Sequence, residues 1–177
     1  MRKLSMDELN RKSVEEFKEA KKIPVIVVLE NIRSMHNVGS VFRTADAFLV
    51  EAIYICGYTA QPPRKEIDKT ALGATETVAW EYFPKTSVAL EKLNDNGYDI
   101  YSIEQTEGSI MLDQIKHISN KPIAIVFGNE VTGVEQETIL NSKGCIEIPQ
   151  FGMKHSLNIS VAAGIVLWEF VKTARQS

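Results

Sequence analysis

The sequence has only two cysteines, Cys56 and Cys145, and neither sits in a Cys-x-x-Cys pair or at a Cys/His spacing suited to zinc. That excludes a disulfide framework and a structural metal centre, and no metal is expected; both thiols read as semi-buried residues in or beside strands. Long apolar runs are lacking too. PVIVVL and IAIVF fall far short of the ~20 residues that cross a bilayer. The amino-terminal MRKLSMDELNRKS has no apolar core of the signal-peptide kind, so a cytoplasmic protein without membrane contact is expected. There is no excess of positive charge. A net charge of −3 and a pI near 5.7 argue against broad, nonspecific nucleic-acid binding. Two nucleotide signatures are also missing. No G-x-G-x-x-G follows the first strand, and no Gly-Lys-Ser/Thr completes the glycines at 128 and 133, which excludes a dinucleotide fingerprint and a P-loop.

What remains is an ordinary globular composition, 44% hydrophobic and 24% charged, on a chain of 177 residues that suits one domain. The cations are unevenly placed. Residues 1–85 hold 13 Lys/Arg against 12 Asp/Glu, a net +1, whereas 86–177 hold 7 against 11, a net −4. A polyanion would be gripped by the first half.

Residues 5–22 read as an amphipathic helix with Ser5 and Glu8 as a capping box, a segment (1–22) separable from a main domain at 23–177. PVIVVLE (24–30) is a β-branched run that predicts a strand buried on both faces. A helix follows over 38–48 with Asn37 as its N-cap. Strands are expected at 52–57, 77–83, 98–104, 121–127 and 145–149, and helices at 86–94 and 135–140. A short helix or loop fits 112–117, while 58–76 reads as irregular. The alternation predicts an α/β fold, a mostly parallel sheet of about six strands flanked by helices. The last helix is unusual, because Ile159, Ala163, Val166 and Phe170 form one apolar face and Val161, Ile165 and Trp168 another. Two such faces imply burial against the core and against a second surface.

Three stretches could carry chemistry. In 31–47, Asn37 caps a helix, Gly39 admits another backbone or a phosphate, and Arg43 is a cation on an otherwise apolar helix. A surface pair with Asp46 is the plain alternative for Arg43. In 127–133, Phe-Gly-Asn-Glu-Val-Thr-Gly follows an apolar strand at the edge where α/β sheets hold ligands, with Glu130 near a helix start. In 144–170, Ser156 and Asn158 both precede the last helix; only one can cap it, leaving the other for a site.

Together NVGSVFRTADAF (37–48), VFGNEVTGV (126–134) and IEIPQFGMKHSLNISVAAGI (146–165) resemble the three ordered motifs of the SpoU/TrmH branch of the SPOUT RNA methyltransferases. The resemblance implies a deep carboxy-terminal trefoil knot, S-adenosyl-L-methionine as methyl donor, a homodimer through the C-terminal helix, and methylation of a ribose 2′-hydroxyl in RNA. It places catalysis at Arg43, Asn37, Ser156, Asn158 and Glu130. The cofactor would be held by Phe127, Gly128, Asn129, Ile148, Gln150, Met153, Ser156 and Leu157. Arg33, Arg43, Arg64 and Lys65 are the expected RNA contacts. Small knotted relatives favour tRNA over rRNA as substrate. The alternatives are an rRNA enzyme, an inactive knotted RNA-binding module, or an enzyme methylating a small molecule or protein.

Overall fold

A computed structural model describes every residue except 6, 10, 116–118, 154–155 and 175–177, together with the side chains of 7, 173 and 174. Seven strands form one sheet: β1 (Ile23–Glu30), β2 (Val50–Cys56), β3 (Ala79–Phe83), β4 (Asp99–Ile103), β5 (Ile110–Met111), β6 (Ile123–Phe127) and β7 (Gly144–Glu147). The order is β3-β2-β1-β6-β4-β7-β5, and every pairing is parallel. The seventh strand is the two-residue β5, whose length is too short for any hydrophobic period to reveal.

β1 shows why the sheet is central. Val25, Val27 and Leu29 enter one core, and Ile26 and Val28 the other, so the β-branched run is buried on both faces as expected. The first core is covered by α2 (Met35–Ala47), α3 (Lys65–Ala71), α4 (Ala74–Thr77) and α7 (Ile159–Ala174). The second lies under α5 (Thr86–Asp95) and α6 (Gln136–Leu140). Burial of these side chains, at roughly 25 cal/mol per Å² of apolar surface, is the main stabilising term.

Several local expectations need correction. The amino-terminal helix is much shorter: a 3₁₀ turn at Asp7–Leu9 precedes α1 (Val14–Glu19). The complete capping box is Ser13 with Glu16; at Ser5, Glu8 accepts from the backbone N–H at 2.7 Å, but no helix begins there. α2 starts three residues earlier than expected because Ser34, not Asn37, is its N-cap. The stretch 58–76, expected to be irregular, contains α3 and most of α4. A 3₁₀ turn covers Leu112–Gln114, and the rest of that expected helix, including His117, lies outside the described residues.

One buried acid ties the sheet to a helix. Glu30, fully buried at the end of β1, accepts from the Glu135 N–H at 2.8 Å and the Thr138 hydroxyl at 2.5 Å. β1 and the start of α6 are thereby locked together at the carboxyl edge of the sheet.

Candidate active site

At this edge the loops after β1, β6 and β7 meet. Glu130, after β6, accepts from the backbone N–H of Arg33 at 2.9 Å and of Ser34 at 3.0 Å, both just ahead of α2. The Asn37 side chain, freed from capping by Ser34, donates to the same carboxylate at 3.1 Å. Asn158 then donates from its amide to the Asn37 side-chain oxygen at 3.2 Å. Three residues from three distant stretches thus form one chain of hydrogen bonds, Glu130–Asn37–Asn158. Burial pushes the Glu130 carboxyl up, but the N–H groups of Arg33, Glu130 and Ser34 and the Asn37 amide outweigh it and hold the carboxyl below its ordinary value. It remains an anion facing the positive end of α2.

Asn129 shapes the same loop from inside. It is buried; its amide donates to the Asn31 carbonyl at 2.8 Å and the Tyr58 hydroxyl at 2.7 Å, and its side-chain oxygen accepts from the N–H of Val131 and Thr132. A Cβ on Gly128 would lie 2.2 Å from the Val134 nitrogen and 2.4 Å from the Gly133 oxygen. That glycine is required by the loop's closure on itself. Gly39 is likewise explained without a phosphate, since a Cβ there would meet the Ile67 carbonyl of α3 at 2.2 Å.

Beside the Glu130 loop opens a cleft of about 490 Å³, bounded by the ends of β4, β6 and β7 and by the first turn of α7. Phe127, Gly128, Asn129, Ile148, Gln150, Ser156 and Leu157 line it, as does Glu130. Met153 does not; it is exposed. Ahead of α7, Asn158 accepts from the Ser160 N–H at 2.9 Å, and its carbonyl accepts from Val161 and Ala162. Asn158 therefore takes the capping place, and Ser156 is the residue left over for the cleft. Three acids border the cleft, Glu104, Glu130 and Glu147, against an apolar wall that includes Ile103, Ile146 and Ile159. Such a lining suits a ligand with an apolar body and positive charge.

Arg43 is elsewhere. Six positions beyond Asn37, it points about 120° away from it around α2, and it is exposed. The expected Asp46 partner instead accepts from the Thr77 hydroxyl, and Arg43 makes no ion pair among the described residues. Arg33, Arg64 and Lys65 are exposed as well, and only the Arg33 backbone joins the cluster.

Residues 24–168 match the model of the SpoU rRNA Methylase family. The chain belongs to the SpoU methylase family. Among relatives of this SpoU protein, the tRNA (guanosine(18)-2′-O)-methyltransferase of Thermus thermophilus is 31% identical over 162 residues, covering 92% of this chain and 81% of that one. The 23S rRNA (guanosine-2′-O-)-methyltransferase RlmB of Vibrio parahaemolyticus is 31% identical over 165 residues, covering 93% of this chain and 66% of that one. In structure, the SpoU chain resembles the Aquifex aeolicus TrmH/SpoU tRNA modifying enzyme with a TM-score of 0.81 at 27% identity, over 92% and 81% of the two chains. An AdoMet-bound rRNA methyltransferase from Sinorhizobium meliloti superposes with a TM-score of 0.80 at 25% identity, over 88% and 59%.

Sequence reading missed Glu104 at the cleft. Its carboxylate accepts from the Val134 N–H at 3.0 Å, and a Cβ on Gly133 would meet it at 2.1 Å. Position at the carboxyl end of a strand was the available signal. Tyr58, which holds Asn129, stands in a stretch that carried no pattern at all.

Proposed function

We propose that this SpoU methylase transfers a methyl group from S-adenosyl-L-methionine to a ribose 2′-hydroxyl of tRNA, working as a homodimer in the cytoplasm. The observation that carries the reading is the convergence of the three motif loops on one cleft with acidic and apolar walls. S-adenosyl-L-methionine is a cation with an adenine body, and when bound it supplies an electrophilic methyl. Ile148, Leu157 and Phe127 would hold the apolar part, Ser156 and Gln150 the polar edges, and the carboxylates of Glu104 and Glu147 its positive charges. Glu130 and Asn37 keep the loops in register, so the chain's contribution is largely positioning.

Arg43 is assigned to the RNA. Removing a proton from a guanidinium of pKa ~13 at pH 7 costs about 8 kcal/mol, so Arg43 stays charged and orients the 2′-oxygen or the neighbouring phosphate. It lies outside its own chain's cleft, so RNA or a second chain has to bridge the two. Val161, Ile165 and Trp168 are 49%, 39% and 50% exposed on α7, against buried Ile159, Ala163 and Val166. That outer face is the proposed dimer surface. Residues 23–177 are assigned to a methyltransferase domain with its carboxy-terminal part threaded as a trefoil knot, and 1–22 to an appendage whose cations, with Arg33, Arg64 and Lys65, add RNA contacts.

The test is to incubate the protein with labelled S-adenosyl-L-methionine and total RNA from a strain lacking the gene, then map the label. Label on a ribose of tRNA is expected. Label in rRNA alone moves the substrate assignment. RNA binding without transfer makes the chain a knotted RNA-binding module, and transfer to a non-RNA acceptor overturns the reading.

A further inference from the structure

A second cleft of about 480 Å³ opens at the same carboxyl edge, on the side of α5 and α6. We infer that it receives an unpaired guanine base of the RNA, stacked on Tyr58; this rests on the RNA methyltransferase reading above.

Tyr58 is 64% exposed, yet it is fixed at both ends. Its hydroxyl is held by the Asn129 amide at 2.7 Å, and its backbone N–H donates to the Asn31 side chain at 3.2 Å. The support is itself tightly built. Asn31 adopts φ 55°, and a Cβ on the facing Gly57 would lie 1.9 Å from the Asn31 side-chain oxygen. An exposed aromatic ring that is already immobilised stacks on a base with little further loss of entropy.

The lining supplies the polar half of recognition. Glu135 already accepts from the Asn31 amide at 2.6 Å, whereas the Glu137 carboxylate accepts no hydrogen bond among the described residues. Lys85, at the other wall, forms no ion pair among them. Unpaired bases are read on their Watson–Crick edges. Guanine alone offers two adjacent N–H donors there, which a single carboxylate accepts as a fork, the charge-assisted geometry of strongest binding. Lys85 suits the attached phosphate. The site also communicates with the chemistry. Asn129, which grips the Tyr58 hydroxyl, walls the first cleft, so a base on Tyr58 braces the loop carrying Glu130.

The measurement uses the full chain with guanosine 5′-monophosphate and adenosine 5′-monophosphate, followed by ¹⁵N amide shifts, beside steady-state methylation of RNA. The guanosine nucleotide should shift Tyr58, Ser87 and Asn141, with the adenosine nucleotide about tenfold weaker, and Glu137→Gln should erase that preference. Tyr58→Ala should raise KM for RNA about tenfold with KM for S-adenosyl-L-methionine unchanged. Tyr58→Phe keeps the ring and should leave KM for RNA near wild type while lowering kcat through Asn129. Equal binding of the two nucleotides, or shifts confined to the first cleft, overturns the inference. Methyl transfer without these shifts removes the base site and leaves the proposed function standing; the shifts without methyl transfer do the reverse.

Discussion

The Glu130 carboxylate and the Asn37 amide meet at 3.1 Å, joining the loop after β6 to the first turn of α2. Two backbone N–H groups ahead of α2 converge on the same carboxylate, so Glu130 acts as a cap supplied from the far side of the sheet. The relation predicts a pH signature. In the folded chain the carboxyl is held below its ordinary value, so its stabilisation is present above the unfolded value and is lost as pH falls through the folded one. Glu130→Gln should therefore destabilise the protein at neutral pH by about 1 kcal/mol, with the gap closing near roughly pH 3. Thermal melts of both proteins across pH would show it; a pH-independent gap would contradict the capping role.

Arg43 tests the division between fold and function. Because the side chain is exposed and unpaired among the described residues, Arg43→Ala should change stability by less than about 0.5 kcal/mol. Methyl transfer should fall at least about 100-fold. In a pH–rate profile, Arg43→Lys should not recover activity at a lysine-like pKa. Recovery there would assign Arg43 the role of base.

Trp168 reports on association. It packs against Phe48 at 5.9 Å between ring centroids and still leaves half its surface exposed beside Val161 and Ile165. Ile165→Glu puts a charge in that surface and should convert dimer to monomer in sedimentation velocity, with RNA methylation lost. A wild-type protein that sediments as a monomer would remove this face from the proposal.

Gly128 separates loop geometry from side-chain chemistry. Gly128→Ala forces a Cβ to within 2.2 Å of the Val134 nitrogen, so the loop must shift. Affinity for S-adenosyl-L-methionine should fall about tenfold or more by calorimetry, a loss of at least about 1.4 kcal/mol. Gly164→Ala is the contrast, since a Cβ there meets nothing within 4 Å in the chain.

Much of this was legible from the sequence because burial writes periodicity. The two-faced β1 and the two faces of α7 announced themselves by spacing, and the motif loops by their position after apolar strands. What stayed hidden has specific causes. α3 buries only Ile67 and Ala71, too few apolar positions to signal a helix among its charges. Ser34 and Asn37 are both good capping residues, and only the arrival of Glu130 decides which one is released. Glu30 looks like a solvent-facing strand end; its burial depends on Thr138 and the Glu135 N–H, far along the chain. Ala162, Ala163 and Gly164 looked like room for a close backbone crossing, yet Gly164 faces open space.

The strand order also bears on how the chain is made. Val25 of β1 pairs with Ile123 of β6, roughly 100 residues later, and on its other side β1 has β2. At about 5–20 residues per second, synthesis leaves one edge of an almost wholly apolar strand without a neighbour for several seconds. An unpaired apolar edge is a template for intermolecular pairing. The nascent chain is therefore most vulnerable to aggregation, and most in need of a chaperone, between the emergence of β2 and that of β6.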